Sequence, residues 1–241
     1  MFQTVFKRYE KKYRLTKEQY GEVLNLLSYN AVPDEYGESD ICSIYYDTQN
    51  KLLIRRSLDK PVYKEKLRVR TYGIPKDSST CFIELKKKYK GIVYKRRIET
   101  DYKNALLFMS GSKNNIRRSQ IKDEIDYFKD FYGDLVPSAC VSYKRRAYYD
   151  RLHRNIRFTF DSDIICRDYD LDLKSGIYGE RIIPKDEYVM EIKTDGAVPS
   201  KLAKLLSELK IYPDSFSKYG TVYLNSLNKK DTLLKGGEHC A

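Results

Sequence analysis

Polar and apolar residues alternate with period two along much of this chain. The alternation predicts eight strands, over residues 5–15, 42–47, 62–72, 80–89, 92–101, 139–150, 156–165 and 188–194, each rich in Tyr, Ile, Val or Phe. Lys90-Gly91 predicts a hairpin turn between the fourth and fifth of these, and residues 152–155 predict a second turn. Helical spacing is rarer. Thr16-Lys17-Glu18-Gln19 is a capping-box start, followed by Val23, Leu24, Leu26 and Leu27. Ile121, Ile125, Phe128 and Phe131 predict a helix over 119–131, and Leu202, Leu205, Leu206 and Leu209 another over 200–209. A short fourth helix is expected over 219–227, with a flexible tail over 228–241. Many antiparallel strands with few helices indicate one α+β domain over residues 1–227.

The polar faces are unusual because they carry cations, strand after strand. Lys64, Lys66, Arg68 and Arg70 share one face, opposite Leu67 and Val69. Arg8, Glu10, Lys12 and Arg14 oppose Tyr9, Tyr13 and Leu15. Glu84, Lys86 and Lys88 oppose Ile83 and Leu85, and Lys95, Arg97 and Glu99 oppose Tyr94 and Ile98. Arg157, Thr159, Asp161 and Asp163 oppose Phe158 and Phe160, and Glu191 and Lys193 oppose Met190 and Ile192. Two architectures produce such a pattern. The charged faces can point to solvent around an apolar core, which is the ordinary fate of a charge run. Alternatively they line the inside of a barrel whose apolar outside is covered by helices. The second is favoured, because an open sheet of cations repels itself. A barrel of about eight strands also encloses room for one ligand.

Composition narrows the chemistry. The 241 residues hold 46 Lys+Arg against 34 Asp+Glu, a formal charge of +12, so the expected partner is anionic. Only His153 and His239 are present, and the five cysteines (Cys42, Cys81, Cys140, Cys166 and Cys240) have no CxxC spacing. A zinc site, a disulfide framework and a histidine base are therefore disfavoured, and a bound metal would rest on carboxylates as Mg²⁺ or Mn²⁺. No run approaches ~18 apolar residues. The opening residues 1–8 carry no signal-like apolar core. The expected location is cytoplasmic, peripheral to a membrane only through a partner outside this chain.

The motifs resemble a known family. They are Tyr9-Glu10-Lys11-Lys12-Tyr13, Ile44-Tyr45-Tyr46-Asp47-Thr48, Lys66-Leu67-Arg68-Val69-Arg70-Thr71-Tyr72-Gly73 and Phe82-Ile83-Glu84-Leu85-Lys86. Tyr143-Lys144-Arg145-Arg146-Ala147-Tyr148, Ile156-Arg157-Phe158-Thr159-Phe160-Asp161, Glu191-Ile192-Lys193 and Ser215-Phe216-Ser217-Lys218-Tyr219-Gly220 follow. In this order they resemble the polyphosphate polymerase (VTC) domain, a branch of the CYTH-like triphosphate tunnel metalloenzymes. The resemblance implies an antiparallel β-barrel with a charged lumen, flanked by helices. It also implies transfer of the γ-phosphoryl of ATP to a growing inorganic polyphosphate, with Mn²⁺ or Mg²⁺ as cofactor and no specific nucleic acid as partner.

Carried onto matching positions, the resemblance implies phosphate-binding catalytic roles for Lys12, Arg68, Arg70, Lys86, Arg145, Arg157 and Lys218. It implies further substrate contacts from Lys66, Lys95, Tyr143 and Lys193, and a metal ligand in Glu191. Glu10 and Glu84 are either further metal ligands or salt-bridge partners of tunnel lysines. Asp161 and Asp163 either support the metal or pair with Arg157, pairing being favoured, and Tyr45 and Tyr46 are expected to serve packing. Arg145 and Arg146 cannot both face the lumen, and Lys95-Arg96-Arg97 permits a register slip. The hydrolytic relatives open with Glu-x-Glu-x-Lys, whereas this chain has Arg8 at the first carboxylate position. A hydrolase must activate water, which a carboxylate base assists. A polymerase attacks with a phosphate oxygen that is already anionic. The substitution favours the polymerase over an inorganic or nucleoside triphosphatase; a non-catalytic polyphosphate-binding module is the further alternative, disfavoured because the cations lie on alternating strand positions with glutamates among them and not in a surface stripe.

Overall fold

A computed structural model describes residues 5–236, with the side chains of 5–8, 36 and 230–236 outside the description. Nine strands form one antiparallel sheet. They are β1 (Val5–Thr16), β2 (Ala31–Thr48), β3 (Tyr63–Tyr72), β4 (Thr80–Tyr89), β5 (Ile92–Asp101), β6 (Leu135–Asp150), β7 (Arg157–Arg167), β8 (Glu180–Arg181) and β9 (Glu187–Thr194). Their order is β6-β2-β3-β4-β5-β1-β9-β7-β8, and β6 also pairs with β7. That pairing joins the two ends of the row, so eight strands form a ring with β8 as an outlier. At the β4–β5 turn, Lys90 and Gly91 both have positive φ, the geometry a tight hairpin needs.

Among the described residues six α-helices accompany the ring: α1 (Lys17–Asn30), α2 (Leu52–Leu58), α3 (Tyr102–Met109), α4 (Gln120–Tyr132), α5 (Ser200–Glu208) and α6 (Lys218–Gly236). The outward faces of the strands are the apolar ones. Leu67, Val69, Ile83 and Leu85 pack with Tyr102 and Phe108 of α3 and Ile125 and Phe128 of α4. On the other side of the ring, Tyr13, Leu15, Phe158, Met190 and Ile192 pack with Val23 and Leu27 of α1 and Leu202 and Leu206 of α5. The inside-out barrel expected from the alternation is therefore the observed fold. Each fully buried aliphatic or aromatic side chain stabilises it by roughly 1.5–3 kcal/mol.

Four features differ from the expectation. β2 begins at Ala31, not at 42. Its first half holds Pro33 and Gly37 and shifts register against β6 between Pro33 and Glu38, so its alternation is broken and it reads as loop. α3 continues directly from β5 and is capped by the Asp101 carboxylate, which accepts from the Asn104 amide at 2.8 Å. α6 extends past residue 227 to Gly236, replacing most of the expected tail. Residues 237–241, with His239 and Cys240, lie outside the described residues.

The fourth feature is α2, which sequence patterning does not reveal because its cap is remote. Its N-cap, Lys51, offers no side-chain acceptor. Asp47, fully buried at the end of β2, accepts from the Leu53 and Ile54 amides at 2.8 and 3.0 Å, and Thr48 Oγ1 accepts from Leu52 at 2.9 Å. The same carboxylate accepts from the Tyr219 hydroxyl of α6 at 2.8 Å. One side chain thus fastens two helices to one end of the ring. Asp47→Ala strands several buried donors. We expect a loss of about 3 kcal/mol, a melting temperature lower by on the order of 10 °C, and a retained far-ultraviolet circular dichroism spectrum.

Candidate active site

The inward positions of the ring bring nearly all the predicted residues into one lumen. On β3 and β4 the register sets Arg68 opposite Glu84 and Lys66 opposite Lys86, and on β4 and β5 it sets Lys86 opposite Lys95. β1 and β9 set Lys12 opposite Glu191 and Glu10 opposite Lys193. β6 and β7 set Arg145 opposite Asp161, and β7 and β9 set Arg157 opposite Lys193. α6 begins inside the barrel. Lys12 Nζ donates to the Phe216 carbonyl and Lys66 Nζ to Ser217 Oγ, both at 2.8 Å, while Lys218 Nζ bonds Asp161. Ser217 Oγ also accepts from the Gly220 amide, so the helix start is capped at the lumen.

Cations held this closely repel one another, and carboxylates are spaced among them to compensate. Glu84 Oε2 receives Arg68 Nε at 2.8 Å, its Oε1 lies 2.5 Å from Lys95, and Arg70 is 3.7 Å away. Asp161 accepts from Arg145 in a two-pronged contact at 2.6 and 2.8 Å as well as from Lys218. Glu10 pairs with Lys86 at 2.5 Å. Arg68 is further fixed by Tyr45, whose hydroxyl accepts from it at 3.0 Å, and Arg70 donates to Tyr143 at 3.2 Å. Tyr45 therefore does more than pack, whereas Tyr46 lies in the outer core.

The alternation also resolves the two open registers. Arg145 faces inward and Arg146 outward to Glu38. Lys95 faces inward, Arg96 pairs with Glu124 on α4, and Arg97 lies over the Phe82 ring at 4.5 Å. The expected pairing of Asp161 and Asp163 with Arg157 is corrected. Arg157 pairs with Asp34 from the irregular half of β2, and Asp163 pairs with Arg181 at the surface. Asp163 sits at φ 49, and beyond it Ile164 and Cys166 take the inward positions, so strict alternation fails there. Asp34 was missed because its stretch carries no strand pattern.

Electrostatics follow from burial and these partners. Burial opposes ionisation of Glu10, but Lys86 wins and brings it down to about 2. Glu84, Asp161 and Glu191 are likewise held low by their cations despite burial. Lysines are pushed the other way. Burial brings Lys95 to about 7 and Lys193 to about 8, with only partial relief from Glu84 and Glu191 respectively. Burial together with Lys12 and Lys86 drives Lys66 well below its ordinary value. The four described cysteines are buried thiols, and burial lifts Cys81 and Cys140 to about 12, which makes them inert.

Among the described residues no three His, Cys, Asp or Glu side chains gather as a metal cluster. Glu84, Glu10 and Asp161 are each tied to a cation by a contact of 2.8 Å or shorter. Glu191 differs. It makes ion pairs at 3.0, 3.7 and 3.9 Å to Lys193, Lys12 and Arg145. Its contacts are longer than those that tie Glu84, Glu10 and Asp161. The donor set fits a Mg²⁺-type ion held by one carboxylate and by phosphate oxygens, a mode such ions favour.

The VTC domain description matches residues 7–226. Among solved structures, a putative adenylate cyclase from Bacillus halodurans has the same fold, with a TM-score of 0.57, 13% identity, and coverage of 89% of this chain and 96% of that one. A putative adenylyl cyclase from Hippeastrum, described as having a dominant triphosphatase activity, aligns at a TM-score of 0.48 and 17% identity over 90% and 96% of the two chains. A Mimivirus capping enzyme triphosphatase aligns at 0.39 and 11% over 83% and 87%. No match is found among curated protein sequences. No helix among the described residues is long and apolar enough to cross a membrane.

The depressed lysines give a signed expectation. An anion in the lumen favours their charged forms, so ligand binding takes up protons. Long-chain inorganic polyphosphate, whose internal groups stay ionised, serves as probe. Calorimetry at pH 8 in two buffers of different ionisation heat should give an uptake of about one proton or more per ligand. Zero exchange or net release would contradict the assignment. Without ligand, Lys95 makes the fold gain stability as pH rises from about 7 towards 10.5, because the unfolded chain there holds more protons.

Proposed function

Because the chain belongs to the VTC domain family, we propose that it is a metal-dependent polyphosphate polymerase that moves the γ-phosphoryl of ATP onto the end of a polyphosphate chain. The observation that carries the choice is the state of the lumen carboxylates. Each is surrounded by cations and held low, Glu10 to about 2. A general base for water works best with a pKa near the operating pH. These carboxylates are poor bases, and the lysines eased towards neutrality regain protons once an anion enters. A terminal phosphate oxygen needs no base, which matches a site made of cations. Arg8 in place of a carboxylate points the same way, although that side chain lies outside the described residues.

In this reading Arg68, Arg70, Lys86 and Lys95 receive one end of the triphosphate, and Lys12, Arg145, Lys193 and Lys218 the other. Arg157 extends the second group, and Tyr143 orients Arg70. The acceptor oxygen forms a bond to the γ-phosphorus as the bond to the β,γ-bridging oxygen breaks, and ADP leaves with the electron pair. No proton moves. The cations bring two anions together and take up the charge that develops on the leaving oxygen, the dominant requirement of phosphoryl transfer. A Mn²⁺ or Mg²⁺ ion at Glu191 would add Lewis-acid neutralisation of the phosphate oxygens.

Incubation with ATP and Mn²⁺ should give a ladder of polymer with ADP in proportion. Free phosphate without polymer would move the assignment to a triphosphatase, and tight binding without turnover to a binding module. Arg70→Ala and Lys218→Ala should each lose activity by at least about a hundredfold. Both should remain folded, since Glu84 keeps Arg68 and Lys95, and Asp161 keeps Arg145. Glu191→Gln should raise the metal concentration needed for half-maximal rate. An unchanged metal requirement would remove Glu191 from that role.

A further inference from the structure

The compensation that holds through the lumen stops at one rim. Moving outward along β3 and β4, Arg68 faces Glu84, Lys66 faces Lys86, and Lys64 faces Lys88. The first two levels carry carboxylates, Glu84 on one and Glu10 at Lys86 on the other. The last has none. Lys64 Nζ reaches only the Ser57 carbonyl, at 3.1 Å. Lys88 makes no hydrogen bond or ion pair with any described residue, and the exposed Lys60 adds a third positive charge nearby. Glu65 between them is turned outward to Tyr63 and Tyr132.

Like charges directly opposite each other across a ladder destabilise a sheet. Inside the lumen, neighbouring carboxylates offset that cost. At the rim no carboxylate among the described residues does, and both lysines are partly open to solvent. We propose that Lys64 and Lys88 form a subsite for the continuing polyphosphate chain, which runs from the catalytic level along the β3–β4 wall and leaves at this rim. From Lys86, the outermost of the triphosphate-binding residues on this wall, to Lys88 is two residues, roughly 7 Å of strand. That exceeds the phosphorus-to-phosphorus span of a triphosphate, so the subsite discriminates by length. It engages a long chain and leaves a triphosphate held at the Arg68 level untouched. The subsite rests on the polyphosphate reading above.

The test compares wild type with Lys64→Gln/Lys88→Gln. Affinities for tripolyphosphate and for long-chain inorganic polyphosphate are measured by calorimetry at several salt concentrations. We expect tripolyphosphate affinity to be unchanged and long-chain affinity to fall about tenfold. The slope of log affinity against log salt for the long chain should shrink by roughly one to two, one increment per lost phosphate contact. Melting of the unliganded variant at or above the wild-type temperature shows that the fold is intact. Equal effects on both ligands, or none on either, would overturn the rim subsite while leaving the tunnel reading in place. If wild type binds neither ligand, the polyphosphate reading fails and the subsite with it.

Discussion

The structure depends on confining many cations in a closed lumen. A buried lysine or arginine carries a desolvation cost of several kcal/mol, and each like-charged neighbour adds to it. The barrel tolerates them because Glu10, Glu84, Asp161 and Glu191 are distributed one to each cluster, with Asp34 closing the Arg157 corner. The cations still outnumber the carboxylates. The excess appears as lysines held near 7 and 8 instead of their ordinary value. A lumen so arranged is folded with its positive charge only partly compensated.

The helices make this arrangement possible. With charges inside, the apolar faces of the strands must be buried outside, and α3, α4, α1 and α5 do that. α2 and α6 have a different task. They enter one end of the ring, where Ile54, Tyr219 and Val222 pack with the inward residues Tyr45, Val141 and Tyr143. Asp47 fastens both, and α6 thereby delivers Ser217 and Lys218 into the lumen. The position of these lumen side chains is thus fixed by a buried hydrogen-bonded anchor.

The eight main strands and the inward charged faces were legible because period-two alternation is a direct imprint of the pleat. Most of the candidate site was legible for the same reason, since cations on alternate positions of adjacent strands must meet. What escaped lay where backbone geometry departs from the period. Asp34 sits in the Pro33–Gly37 irregularity, and Asp163 at a left-handed residue that swaps the faces beyond it. α2 escaped because its amides are capped from Asp47 and Thr48 in the preceding strand and not at its own N-cap.

The lumen needs added negative charge, which its carboxylates supply only in part. The most direct measurement is the melting temperature of Glu84→Gln with and without tripolyphosphate. Removing that charge leaves Arg68, Arg70 and Lys95 to repel one another in a buried site, a loss of roughly 3–5 kcal/mol. The variant should melt on the order of 10 °C below wild type, and tripolyphosphate should restore most of the difference. A variant that melts with wild type, or one that tripolyphosphate leaves unmoved, would contradict the account.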